Sequence, residues 1–76
     1  MIAIHHIENI SFEREEIHLV VDGKSYAIPL ALVSEKLVKA DAVQRSLFKV
    51  SPSGYGIHWP LIDEDLAIEK LLEKAL

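Results

Sequence analysis

The dipeptide Asp22-Gly23, set between two apolar runs, constrains this chain more than any other feature. A type I′ turn needs φ > 0 at both central residues. Asp-Gly meets that need at low cost, which makes it the strongest short-range hairpin signal. On its N-terminal side, Ile17 to Val21 is apolar and β-branched at its end. On its C-terminal side, Lys24 to Pro29 puts Tyr26 and Ile28 on one face, as a returning strand does. Further upstream, Ile7 to Arg14 carries Ile10 and Phe12 on one face and Asn9, Ser11 and Glu13 on the other. The expectation is an antiparallel meander.

Pro29 ends the last of these strands and suits the first turn of a helix. From Leu30 the period changes. Leu30, Val33, Leu37, Ala40 and Leu47 recur at helical spacing. Asp41 can restart the helix as an N-cap, with Gln44 three residues later to complete a capping box. A bent helix or two short ones is expected between Leu30 and Leu47. Phe48 to Ser51 and Gly56 to Trp59 then read as strands joined through Pro52-Ser53-Gly54. After Pro60, Asp63 is placed as an N-cap. Glu64 and Asp65 fall in the first turn, where the helix dipole favours negative charge. Ile68, Leu71, Leu72, Ala75 and Leu76 form the apolar stripe of a packed helix. The fold class is therefore α+β: a small single domain over residues 1–76, mostly antiparallel sheet from hairpins, with two or three helices packed on it in the order β-β-β-α-α-β-β-α.

Size and charge narrow the functions. With 76 residues, the core supplies about 3–5 kcal/mol, so a partner often completes such a domain. There are no cysteines, which excludes disulfides and thiolate metal sites. The net charge is −4, from 8 basic and 12 acidic residues, and the basic residues are scattered. Such a surface repels phosphate, so nucleic acid is disfavoured. No apolar run reaches the ~20 residues that span a bilayer. Met1-Ile2-Ala3-Ile4-His5-His6 lacks the basic start and long apolar run of a signal peptide. A soluble, cytoplasmic protein with no membrane association is expected.

The candidate chemistry is sparse. His5 and His6 are adjacent, so on a strand they face opposite sides and cannot share a metal. His18 lies in an alternating strand and His58 precedes Trp59. No metal and no cofactor is expected. The acidic run Asp63-Glu64-Asp65 has three readings: a helix cap, a partner-binding patch, or oxygen ligands for a hard cation. It lacks the glycine and ligand spacing of a calcium loop. No serine sits in a G-x-S-x-G context and no glycine-rich loop leads into a helix, so no catalytic residue is assigned and an enzyme is not expected. The segment Tyr55 to Pro60 contains the only tryptophan. Trp and Tyr anchor binding hot spots and also fill small cores. Trp59 is thus either the main core aromatic or a contact residue.

Ser51 to Leu66, with its Asp63-Glu64-Asp65 run and the following helix with Leu71-Leu72, resembles the C-terminal motif of the domain of unknown function 2442 family of small bacterial and archaeal proteins. Leu37, Ala40, Arg45 and Asp22-Gly23 also fall where that family tends to have the same residues. The resemblance implies an α+β fold and no established activity. Members often look like the second partner in two-gene operons, beside a small protein of the domain of unknown function 4160 family, in pairs that resemble toxin–antitoxin modules.

The leading expectation is a protein–protein interaction module, the antitoxin-like partner of a neighbouring gene product. Its expected contact residues are Tyr55, His58, Trp59, Asp63, Glu64 and Asp65. One alternative is a homodimeric regulatory or accessory domain, paired through a strand edge or through Leu71, Leu72 and Leu76. Another is a weak nucleic-acid or small-ligand binder.

Overall fold

The computed structural model describes residues 5–75; Met1 to Ile4 and Leu76 lie outside the described residues. Three strands, β1 (Ile7–Glu13), β2 (Glu16–Val21) and β3 (Lys24–Pro29), form the expected meander. A single 3-10 turn, Leu30–Leu32, leads into two short helices, α1 (Glu35–Lys39) and α2 (Ala42–Ser46). A second antiparallel sheet follows, built from β4 (Lys49–Val50), β5 (Gly56–Trp59) and β6 (Glu64–Ala67), and α3 (Ile68–Glu73) closes the fold. The class is the α+β expected, with one strand more than the pattern suggested.

Asp22-Gly23 turns as the dipeptide requires, with φ of 51° and 84°, and sets Val21 opposite Lys24. The turn between β1 and β2 has the same hand but not the same chemistry. Arg14 and Glu15 occupy φ of 51° and 61°, where side chains with a Cβ cost about 1–2 kcal/mol each. Tertiary contacts hold this turn. The Glu15 carbonyl accepts the Leu30 amide at 3.0 Å, and the Glu15 carboxylate accepts Arg45 Nη2 at 2.9 Å. The Arg45 guanidinium also caps the carbonyls of Leu37 (2.9 Å) and Val38 (3.2 Å) at the end of α1 and lies over the Phe12 ring.

The break between α1 and α2 comes from capping. Ser34 starts α1 by accepting the Leu37 amide. Asp41 starts α2 through the expected box, its carboxylate accepting the Gln44 amide while the Gln44 side chain accepts the Asp41 amide. The core gathers alternate residues of both sheets: Ile17, Leu19 and Val21 from β2, and Ile57 and Trp59 from β5. Leu30, Leu37, Ile68 and Leu71 seal it from the helical side. Trp59 is fully buried. Its ring meets Phe12 edge-on at 6.4 Å and Phe48 at 6.2 Å, and its Nε1 donates to the Arg45 carbonyl at 3.1 Å.

Two expectations are corrected. Asp63 does not cap a helix. It sits at φ 49° in the turn between β5 and β6, and Glu64 and Asp65 open a strand paired in register with Trp59 and His58. The residue before α3 is Ala67, which makes no side-chain cap; the Ile68 amide donates instead to the Tyr55 carbonyl at 2.8 Å. Leu71 is buried in the core, so it offers no surface for pairing two copies. Leu72, expected beside it, is only partly exposed, and Leu76 lies outside the described residues.

Candidate functional site: a groove on the outer face of the second sheet

Alternation along β5 separates two faces. Ile57 and Trp59 point into the core, so Gly56 and His58 face outward. Cross-strand partners share a face. The outward surface therefore carries the row Lys49–His58–Asp65 and the pair Gly56–Ala67. These two small residues leave the sheet uncovered, and a groove of about 370 Å³ lies over them. Tyr55, Pro52 and Ser51 form one wall and the Lys49–His58–Asp65 row the other side. Gly56 is demanded by close approach: a Cβ there would lie 2.9 Å from the Leu66 carbonyl oxygen, closer than such atoms pack.

The wall is a tight turn. Ser51 Oγ accepts the amides of Tyr55 (2.9 Å) and Gly56 (3.1 Å), while the Gly54 amide donates to the Ser51 carbonyl at 2.8 Å. Gly54 has φ 70°, and a Cβ on it would collide with the His5 carbonyl. Only glycine meets both conditions. Bound this way through its backbone, Tyr55 holds its ring outward, with 56% of the residue exposed.

At the other side, His58 Nδ1–H donates to Asp65 Oδ1 at 2.8 Å. A carboxylate only accepts, so this bond fixes Nδ1 as protonated and leaves Nε2 as the free position of the neutral ring. Asp65 is the more exposed of the two. The pair offers an oriented acceptor at the lip, and a donor when protonated.

The six residues expected at a contact are thus divided. Tyr55, His58 and Asp65 line the groove. Trp59 does not; it belongs wholly to the core, because β5 alternation and the Phe12–Phe48 aromatic cluster take it inward. Asp63 serves the β5–β6 turn, and its carbonyl accepts Lys36 Nζ at 2.8 Å. Glu64 faces the core side opposite Trp59. It accepts the Ser34 hydroxyl at 2.5 Å and the Asp65 amide at 3.0 Å. One main-chain group of this edge strand, the Asp65 amide, is therefore occupied by a side chain, and a blocked donor discourages pairing with another chain. Sequence reading missed Lys49, Gly56 and Ala67 in the groove. The signal available was the small pair at matching positions of two adjacent strands, which is invisible while β6 is read as a helix cap.

The remaining histidines sit elsewhere. His6 reaches Glu8 at 2.9 Å on the surface. His18 Nε2 is 3.2 Å from Glu16 but is aligned with no hydrogen-bond partner. His5 is clasped between Asp22 and Glu69. These two carboxylates address opposite nitrogens of one ring and do not converge on a common point. Among the described residues, no group of three or more His, Asp or Glu is arranged to hold a metal ion, and no helix is long and apolar enough to cross a membrane.

Two three-stranded antiparallel sheets around one core, with short helices at the side and an open groove on the second sheet, define a small α+β protein of hairpin construction. The chain belongs to the family described as protein of unknown function (DUF2442), whose model matches residues 7–76. No curated protein and no solved structure matches the chain.

Proposed function

We propose that this protein is a protein–protein interaction module that receives an apolar side chain of a basic partner in the groove over Gly56 and Ala67. The observation that carries this reading is the pairing of that uncovered floor with Tyr55, an aromatic ring held outward by a backbone-bonded turn. Rigid exposed tyrosines bind at low entropic cost, and a small-residue floor gives a partner's side chain somewhere to go. The charge supports the class of partner. A net −4 steers association toward a basic protein and away from nucleic acid, and the outward carboxylate of Asp65 stands at the groove's lip. A neighbouring gene product in an antitoxin-like pair is the partner this reading favours.

The test is co-expression with the adjacent gene product, followed by purification of the wild type and of Tyr55→Ala. The expected result is a complex that the wild type forms and Tyr55→Ala loses while remaining folded. Equal recovery of the complex with both would place the contact elsewhere. A monomer that ignores its neighbour would overturn the reading.

A further inference from the structure

The groove wall is anchored from below by a residue far from it in sequence. The His5 amide donates to the Ser53 carbonyl at 3.1 Å, and the His5 carbonyl packs on Gly54, where no side chain would fit. On its other side the imidazole reaches two separate elements. Nδ1 is 2.8 Å from Asp22 in the β2–β3 turn, and Nε2 is 3.0 Å from Glu69 on α3. His6 and Asp22 add a reciprocal pair, His6 amide to the Asp22 carboxylate at 2.9 Å and Asp22 amide to the His6 carbonyl at 2.8 Å. Only 14% of the His5 side chain is exposed.

Both ring nitrogens face carboxylates, and carboxylates only accept. The doubly protonated imidazolium satisfies both contacts. A neutral ring can donate to one and must turn a lone pair toward the other. We propose that His5 is a proton-operated latch: when charged it ties the Ser51–Tyr55 turn, and hence one wall of the groove, to the first sheet and to α3, and when neutral it lets that wall loosen. The meaning of the wall for binding rests on the groove being the contact surface; the latch itself does not.

The charged groups facing the ring are Asp22 from the turn and Glu69 from the helix, while the wall meets His5 through its main chain, at the Ser53 carbonyl and at Gly54. The hydrogen bond to Asp22, then that to Glu69, holds the His5 ring above its ordinary 6.5. Its contribution is complete below 6.5 and is lost as pH rises through the raised folded value. Asp22 runs the other way. The His6 amide, then His5, holds it below 3.8, so its contribution is present above 3.8 and fails only as pH falls through that lowered value. The latch is therefore closed between the two.

Amide hydrogen exchange of the purified protein, with no partner present, tests this. Exchange rates of Gly54, Tyr55 and Gly56 are measured across pH 5 to 9 and corrected for intrinsic pH dependence, beside an NMR titration of the His5 ring. The expected result is a several-fold loss of protection in these amides, tracking a His5 titration that lies above 6.5. Glu69→Gln keeps the histidine and removes one charged arm, so it moves both the step and the titration to lower pH. His5→Gln abolishes the step. Should His5→Gln fail to fold, Glu69→Gln alone decides. Protection that stays constant while His5 titrates would overturn the latch, as would an unmoved midpoint in Glu69→Gln. Neither result bears on whether a partner occupies the groove.

Discussion

The second sheet has two faces that use their residues in opposite ways. On the inner face Ile57, Trp59 and Glu64 each have a full set of partners: apolar core, two aromatic rings, a serine hydroxyl and a backbone amide. On the outer face Gly56, His58 and Asp65 have few, and Tyr55 beside them has none for its ring among the aromatic contacts. The faces are interleaved along the same strands, so alternation decides which side chain lies on which face but not what each face is for. What separates them is that folding accounts for the inner side chains and leaves the outer ones over. Substitutions should therefore fall into two groups, costly on one face and cheap on the other.

The largest effect is expected at Trp59. Trp59→Ala removes the centre of the Phe12–Phe48 cluster and should destabilise by about 3–5 kcal/mol, most of what a domain this size possesses. Urea denaturation followed by far-UV circular dichroism would measure it. Trp59→Phe should cost less, yet still leave the Arg45 carbonyl without its donor. A Trp59→Ala protein with wild-type stability would erase the distinction between the faces.

Glu64 comes next. Glu64→Ala removes the acceptor for the Ser34 hydroxyl, a residue only 5% exposed, and for the Asp65 amide. A loss of about 1–3 kcal/mol follows from leaving such groups unpaired, and Glu64→Gln, which keeps an acceptor, should recover part of it. The same variants test the edge: Glu64→Ala unblocks the Asp65 amide, so concentration-dependent association in light scattering should rise.

These residues also show what could be read in advance. Asp22-Gly23 and the Asp41–Gln44 box were legible because each completes its chemistry within a few residues. The meander followed from the alternation that flanks the first of them. Three features were not legible. Asp63-Glu64-Asp65 has the composition of a helix cap, but pairing with β5 and the contact from Glu64 to Ser34, 30 residues away, outweigh that propensity. The Arg14-Glu15 turn carries no glycine or asparagine to announce it and depends on Arg45 and Leu30. His5 finds its partners 17 and 64 residues along the chain, and no local pattern encodes such a clasp. Of the six residues expected at a contact, Tyr55, His58 and Asp65 reach the groove: alternation, read correctly for β5, carries His58 outward, while Asp65 arrives by pairing with it from β6 and Tyr55 by the Ser51 turn. Trp59 goes inward by the same alternation.

On the outer face, Asp65→Asn should change stability by less than about 1 kcal/mol, because an exposed hydrogen-bonded pair contributes little. It does remove the carboxylate that orients His58. The expected outcome is an unchanged urea midpoint together with a changed tautomer balance at His58, seen in its ring nitrogen shifts. A large loss of stability would mean that the His58–Asp65 pair belongs to the fold and not to the site.

The smallest effect on stability is expected at Tyr55, and it discriminates best. Its main chain works hard: the amide binds Ser51 and the carbonyl accepts Ile68. Those bonds do not need the phenol ring, so Tyr55→Ala preserves both and should shift stability within about 0.5 kcal/mol. Tyr55→Pro would remove the amide and is the control for the turn. If the ring is a binding anchor, truncating it costs a complex about 2 kcal/mol or more, roughly thirtyfold in affinity, at no cost to the fold. A Tyr55→Ala protein that unfolds early would assign the ring to packing of the Ser51–Gly54 turn. It would then move the outer face, at this position, into the same category as the inner one.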